Sequence, residues 1–219
     1  MEGTAGVHFI RRRLDVGFVL GGVALFLLCA SVARSGTVGP VEARVFHWIN
    51  DLPDSLSPAM QAAQLLGVLG VPVIVAVVAL IFRRFRLAVA AILVAALKLV
   101  AERIVWQVVS RSRPAVTIAG AIVRGNTPTR GVAFVSGHVI LLAGLAVVVG
   151  PYLRGWLRVV PWLIVGLVAF ARVYLGAHAP LDVVGGLGLG LAIGGLTNLA
   201  VAVPTQITTP AQVSPAEDV

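Results

Sequence analysis

Long stretches of this chain carry no charged side chain, and this feature limits the fold more than any other. Residues 16–33, 55–82 and 134–153 contain no Asp, Glu, Lys or Arg. A run of about 20 apolar residues is long enough to cross the hydrocarbon core of a bilayer as a helix. Only 12% of the residues are charged and 58% are hydrophobic, whereas a soluble domain is about a quarter charged. The sequence therefore predicts an integral membrane protein.

Six stretches are predicted to span the membrane, so the expected fold is an all-α bundle of six transmembrane helices in one domain. They are residues 16–33, 55–82, 87–109, 134–153, 159–176 and 180–203. Residues 1–15 form a polar lead, residues 16–203 the membrane domain, and residues 204–219 a polar tail that is expected to be disordered. The second stretch is expected to kink or restart near Pro72, and Trp48 to anchor a short interfacial helix.

The arginines predict how the chain is oriented. With six spans, both termini and the basic turns at 83–86 and 154–158 lie on one side, which holds 8 arginines; the opposite loops hold 6. Short cytoplasmic loops are enriched in Lys and Arg, so the termini are placed in the cytoplasm and the protein in the cell membrane. The net charge is +8. Because the arginines flank apolar runs, the lipid bilayer accounts for it and no nucleic acid partner is expected. The oligomeric state is not predicted.

Three polar fragments then fall together on the outer face. They are Arg111-Ser112-Arg113-Pro114, Ser136-Gly137-His138, and Arg172 with His178 and Asp182. An arginine presents two parallel donors to phosphate oxygens, and a helix that starts at Ser136-Gly137 offers free N–H groups to an anion. We therefore expect Arg113, Arg172, Ser136 and Gly137 to bind a phosphate.

The two histidines are predicted to divide the chemistry. His178 and Asp182 are four residues apart, so the carboxylate can hold one ring nitrogen as a donor and leave the other free to attack phosphorus. His138 would protonate the departing oxygen and then activate water. The carboxylates are too few and too scattered to require a metal.

The third stretch is unusual because it contains Lys98, Glu102 and Arg103. Lys98 and Glu102 are one helical turn apart and are expected to pair. Two interpretations remain open: a mutually neutralised pair inside the bundle, or a pair that supports the site from behind.

In order and spacing, the three fragments resemble the type 2 phosphatidic acid phosphatase superfamily. Its pattern is Lys-x6-Arg-Pro, Pro-Ser-Gly-His and Ser-Arg-x5-His-x3-Asp, and the similarity runs from about residue 87 to 203. The resemblance implies a six-helix membrane form and metal-free hydrolysis of a phosphate ester or anhydride through a phosphohistidine, with no cofactor. It also implies the roles given above for Arg113, Ser136, Gly137, His138, Arg172, His178 and Asp182.

Three positions depart from this pattern: Val135, Ala171 and Trp106. The last matters most, because Trp106 stands where the family has its lysine and removes one positive charge from the phosphate site. Arg103 and Arg111 are accessory candidates to supply that charge; the alternative is a weaker pocket.

The resemblance implies a lipid phosphatase whose substrate keeps its tail in the bilayer. Polyprenyl diphosphate, phosphatidic acid and phosphatidylglycerol phosphate are the substrates considered, with a slight preference for the first. Two alternatives are a lipid-linked phosphotransferase, with Arg124 and Arg130 holding the acceptor, and a catalytically weakened membrane protein that only binds lipid phosphate.

Overall fold

The structure is a computed structural model that describes residues 8–205 and is mostly helical. The α-helices are α1 (Arg13–Ala33), α2 (Pro40–Asn50), α3 (Ser57–Gln64), α4 (Gly70–Ile81), α5 (Phe85–Val108), α6 (Pro114–Thr117), α7 (Gly137–Val149), α8 (Val160–Tyr174) and α9 (Pro180–Val201). Short 3-10 helices cover Asp54–Leu56, Leu65–Gly67, Gly150–Tyr152 and Gly155–Arg158. Residues 1–7 and 206–219, which hold about half of the predicted lead and most of the predicted tail, lie outside the described residues.

Three helical segments of the described chain are long and apolar enough to cross a membrane: Arg13–Ala33, Gly155–Tyr174 and Pro180–Val201. A fourth is reached if Asp54–Gly67 and Gly70–Ile81, which meet at an angle of 58°, count as one broken span. α5, with 24 residues, is longer than each of the three single segments, but it carries Lys98, Glu102 and Arg103. α7 with the 3-10 turn that follows it is a shorter apolar helix, Gly137–Tyr152. Length and composition thus support three or four of the six predicted spans.

The helix α9 lies between α1 and α7, and glycines let it approach both. A Cβ on Gly188 would lie 2.8 Å from the carbonyl oxygen of Gly22 in α1, and one on Gly190 would lie 2.5 Å from that of Ile140 in α7. Gly186, Gly190 and Gly194 are spaced four apart, a pattern of small residues that brings membrane helices close together. This packing fixes the start of α9 beside the start of α7.

The described ends of the chain pair with each other. Two short strands, β1 (Phe9–Ile10) and β2 (Val203–Pro204), run antiparallel. The sequence predicts only helices and places residue 204 in the tail. The strands form because α1 and α9 pack side by side and bring residues 9 and 204 together. α9 rises about 33 Å over its 22 residues, so this sheet lies at the opposite end of the bundle from the polar fragments.

The break between α3 and α4 lies where a kink was expected. The 3-10 turn Leu65–Gly67 ends α3, and α4 begins at Gly70, with Pro72 in its first turn, where a missing N–H costs no helical hydrogen bond. A helix, α2, is present where the interfacial helix was predicted, and its Trp48 is 78% exposed.

Candidate active site

The polar fragments converge at the N-terminal end of α7. His138 lies in the first turn of that helix, and Arg172 lies in the last turn of α8. The Ser136 N–H donates to the main-chain oxygen of Asp182 at 3.0 Å, which joins the start of α7 to the first turn of α9. Lys98, in α5, lies against Gly137. The fold therefore brings together residues that are more than 80 positions apart in the chain.

His178 and Asp182 form a buried pair at the start of α9. The Nδ1 atom of His178 lies 3.7 Å from Oδ2 of Asp182, and the side chains are 5% and 0% exposed. That oxygen also accepts the Ala179 N–H at 2.8 Å, which caps the helix and holds the carboxylate in place. Burial lowers the pKa of His178 to about 4, so its imidazole is neutral, as a nucleophile must be.

Arg111 contacts Asp182 on the side away from His178 and is bonded to two carboxylates. Its Nη2 donates to Oε2 of Glu42 at 2.6 Å, and its Nη1 donates to Oδ1 of Asp182 at 3.3 Å. The residue is completely buried. Both ends of the guanidinium are therefore directed at carboxylates, which differs from the accessory phosphate-binding role expected from the sequence.

Arg172 is held by a residue that the sequence analysis did not single out. Its Nη1 donates to Oε1 of Gln64, at the end of α3. The main-chain oxygen of Arg172 accepts the N–H groups of Ala177 and His178 at 3.0 and 3.2 Å, which folds the loop back onto the end of α8. The buried Nε has no hydrogen-bond partner, so the guanidinium keeps a donor for a ligand.

Arg113 enters the site from the segment after α5. Its backbone is extended (φ −69°, ψ 158°), as expected for a residue before proline. The side chain donates to the carbonyl oxygens of Ala177 at 2.9 Å and Arg130 at 3.1 Å. Burial lowers the pKa of this arginine below its usual range. The guanidinium thus spans the loop that carries His178.

Ser136 and Gly137 start α7 in a confined space. Ser136 is the N-cap residue, and its buried Oγ has no hydrogen-bond partner. A Cβ on Gly137 would collide with the side chains of Glu102 and Lys98, with Lys98 Nζ only 2.8 Å away. Lys98 and Glu102 form the predicted pair at 2.6 Å. The pair therefore lies directly against the start of α7, which favours the interpretation that it supports the site.

His138 packs against the bend between α3 and α4. A Cβ on Gly67 would lie 2.7 Å from Cδ2 and 2.8 Å from Cβ of His138. Together with Gln64, this bend positions one histidine and one arginine of the site. The sequence predicts a break near Pro72, but it does not indicate that Gly67 contacts His138.

Arg103 and Trp106 lie on the outside of α5. Arg103 is exposed, and Trp106 is 38% exposed. Neither has a contact with the polar fragments in the hydrogen bonds of the described residues. The position of the family lysine is therefore turned toward the surface of the bundle, and Lys98 is the cation of this helix that faces α7.

The long loop before α7 is tied down by Arg124. This buried arginine donates to Asp54 and to the main-chain oxygens of Asn50, Leu52 and Tyr174, all within 3.1 Å. Its hydrogen bonds hold the loop together. The transferase alternative needs Arg124 to bind a second substrate, but these hydrogen bonds already use its guanidinium group.

Some buried donors near the start of α7 have no hydrogen-bond partner. Six buried side-chain polar atoms of the described residues lack a hydrogen-bond partner. Two of them, Ser136 Oγ and Arg172 Nε, are donors at the start of α7 and the end of α8, whereas Arg111 Nε and His178 Nδ1 lie beside Asp182. Buried polar groups are normally paired, and donors around the positive end of a helix suit an anion with several oxygens. This arrangement at one end of the helical bundle is suited to a phosphate group.

Comparisons with known proteins agree with this assignment. The family model of the PAP2 superfamily matches residues 85–205, more than half of the chain, and the chain belongs to this superfamily. The family expected from the sequence is thus confirmed, and with it the prediction that the protein is a phosphatase. A search of curated proteins found no match.

Two solved structures share the fold. LpxE from Aquifex aeolicus aligns with a TM-score of 0.61 and 22% identity, over 70% of this chain and 92% of that chain. A transmembrane PAP2-type phosphatidylglycerolphosphate phosphatase from Bacillus subtilis aligns with a TM-score of 0.67 and 22% identity, over 81% of this chain and 94% of that chain. The architecture is therefore that of membrane PAP2 proteins.

Proposed function

We propose that the protein hydrolyses a lipid phosphate or diphosphate without a metal, through a phosphohistidine on His178. The observation that carries this proposal is the convergence of His138, His178, Arg113 and Arg172 on the start of α7, with donors left unpaired. A site that only bound phosphate would need the arginines and the helix end, but not a neutral histidine backed by a buried carboxylate.

In the first step, the Nε2 lone pair of His178 attacks phosphorus while the ester or anhydride P–O bond breaks. Its Nδ1–H faces Asp182, at 3.7 Å in the empty site; catalytic hydrogen bonds often tighten when substrate binds. His138 enters this step as the imidazolium, a form that the negative charge of the bound phosphate favours, and gives its proton to the departing oxygen. Arg113, Arg172 and the N–H groups of α7 stabilise the charge on the remaining phosphate oxygens.

In the second step, water attacks the phosphorus of the phosphohistidine. The N–P bond breaks, and its electron pair returns to Nε2 of His178. His138, now unprotonated, takes the proton from the water. Inorganic phosphate leaves, and both histidines regain their starting forms.

Lys98 supplies the positive charge that is missing at Trp106. Its Nζ lies closer to the start of α7 than any other lysine or arginine of α5, and its charge acts on His138. Glu102 takes one hydrogen bond of the ammonium group, and the remaining donors are free to reach a bound phosphate. The proposal therefore replaces Arg103 and Arg111 with Lys98 as the compensating cation.

The substrate is a lipid, since the site lies at the end of helices that are apolar enough to cross a membrane. The Bacillus subtilis neighbour is a phosphatidylglycerolphosphate phosphatase, which supports that lipid as one candidate. Polyprenyl diphosphate and phosphatidic acid are the others. The phosphate enters the site, and the apolar tail stays among the lipids.

The chain crosses the cell membrane six times, with cytoplasmic termini and the site on the outer face. An even number of crossings agrees with the pairing of β1 and β2, which brings both described ends of the chain together. α5, with 24 residues, has the length to cross, and the paired Lys98 and Glu102 reduce the cost of its charges.

Phosphate release by the purified full-length protein in detergent tests the proposal. A panel of the three lipids is supplied with chelator present, and His178→Ala and His138→Ala are compared with wild type. Release by wild type and its loss in both variants is the expected result. Acid-labile, base-stable phosphate on the wild-type protein identifies the phosphohistidine, and turnover by His178→Ala equal to wild type contradicts the mechanism.

A further inference from the structure

A buried carboxylate outside the three polar fragments is connected to the nucleophile. Glu42, in α2, lies about 70 residues before Arg111 in the chain and 140 before Asp182. Its Oε2 accepts a hydrogen bond from Arg111 at 2.6 Å, and its side chain is 9% exposed. Its Oε1 accepts the N–H of Leu181 at 2.9 Å, in the first turn of α9. Glu42 thus contacts both the arginine behind the site and the helix that carries Asp182.

The arginine between the two carboxylates is shared unequally. Arg111 lies 2.6 Å from Glu42 but 3.3 Å from Asp182. All three side chains are almost fully buried, so solvent screens their charges little. A guanidinium with Asp182 as its only partner would move closer and neutralise that carboxylate. Glu42 therefore limits how strongly Arg111 competes with His178 for Asp182.

We infer that Glu42 is a positioning residue for catalysis: by binding Arg111, it leaves the Asp182 carboxylate to orient His178. This inference rests on the proposed function, in which His178 is the nucleophile. Glu42 touches no reacting atom and acts through two intermediate side chains. The charged and titratable groups that face His178 are Asp182 from α9, Arg172 from α8, Arg113 from the segment before α6 and His138 from α7.

The substitution Glu42→Gln isolates the charge. Glutamine keeps an oxygen for the Leu181 N–H, so the tie to α9 survives, while Arg111 loses its nearer anion. Phosphate release from a short-chain phosphatidic acid by the full-length protein is measured with kcat and KM separated. We expect kcat to fall roughly tenfold, as for other groups that orient a functional histidine, with KM nearly unchanged.

The pH profile separates positioning from mere structural support. With Arg111 closer to Asp182, less negative charge faces His178, so the acid limb of kcat/KM moves to lower pH in Glu42→Gln. The double variant Glu42→Gln with Arg111→Met removes the competing cation too, and most of the lost kcat returns. Asp51→Asn is the matched control, because Asp51 is the C-cap residue of the same helix and its exposed carboxylate pairs, among the described residues, with His47 alone.

Two results overturn the inference: an unchanged kcat in Glu42→Gln, or a lower kcat with an unmoved acid limb and no recovery in the double variant. If wild type itself releases no phosphate, the proposed function fails, and the inference is judged by the ¹⁵N resonances of the His178 ring. Their titration midpoint must fall in Glu42→Gln, and an unmoved midpoint refutes the role of Glu42. If Glu42→Gln does not fold, Glu42→Asp is used, which keeps the charge but places it farther from Arg111. It must then lower kcat and the titration midpoint of His178 by smaller amounts.

Discussion

Adding one methyl group at Gly67 should disable the acid–base histidine without touching it chemically. An ideal Cβ at this position lies 2.7 and 2.8 Å from two carbon atoms of His138, whereas ordinary contacts begin at 3.4 Å. The His138 side chain must therefore retreat by about 0.7 Å. A misplacement of about 1 Å at a reacting group costs up to about 100-fold in rate. We expect Gly67→Ala to lower kcat by roughly 10- to 100-fold, measured as phosphate release in detergent.

Gly70 provides the matched control. It begins α4 three residues later, and a Cβ there meets no atom within 4 Å. Gly70→Ala should keep wild-type kcat and stability, while Gly67→Ala also loses about 1–3 kcal/mol of stability through overpacking. The reasoning is refuted if folded Gly67→Ala, verified by its thermal unfolding curve, turns over as fast as Gly70→Ala.

Three further predictions follow from the same geometry. Replacing Lys98 by Met together with Glu102 by Gln, which avoids an unpaired buried charge, should lower kcat/KM roughly 10- to 100-fold, the value of a charged hydrogen bond to phosphate. An unchanged kcat/KM in this double variant would show that Lys98 does not act on the phosphate. Because burial lowers the pKa of His178 to about 4, the unfolded chain takes up its proton first as pH falls. The free energy of unfolding of wild type should then fall by on the order of 3 kcal/mol between pH 6.5 and 4. His178→Gln should lack this part of the loss. If chemical unfolding shows the same pH dependence for both proteins, His178 is not the buried neutral group described above. Gly190→Ala places a Cβ 2.5 Å from a carbonyl oxygen of α7 and should lower the midpoint of thermal unfolding, whereas an unchanged midpoint would show that α7 and α9 pack less closely.

The short polar fragments could be found in the sequence because each is local. Pro114 makes the preceding Arg113 extended, and Ser136 is a natural helix cap. His178 and Asp182 are four residues apart, so His178 lies just before α9 and Asp182 lies in its first turn. These properties depend on neighbouring residues, so they were predictable before any helix was packed against another.

The supporting residues could not be found in this way. Glu42 and Gln64 lie outside the stretch that resembles the family, and nothing in their neighbours marks them as partners of Arg111 and Arg172. The partners of Arg111 are likewise set by packing. The sequence is compatible with phosphate binding by this arginine, whereas in the fold it contacts two carboxylates.

The sequence by itself determined that this is a helical membrane protein of the PAP2 superfamily, because long uncharged runs and three spaced fragments are properties of the chain alone. Only the tertiary structure decided which cation faces the start of α7, which carboxylate holds Arg111, and which glycine touches His138. The physical reason is that a side chain buried in the bundle takes its partners from helices that are distant in sequence. The glycines of α9 allow α1 and α7 to pack closely against α9, and this packing brings distant parts of the chain together.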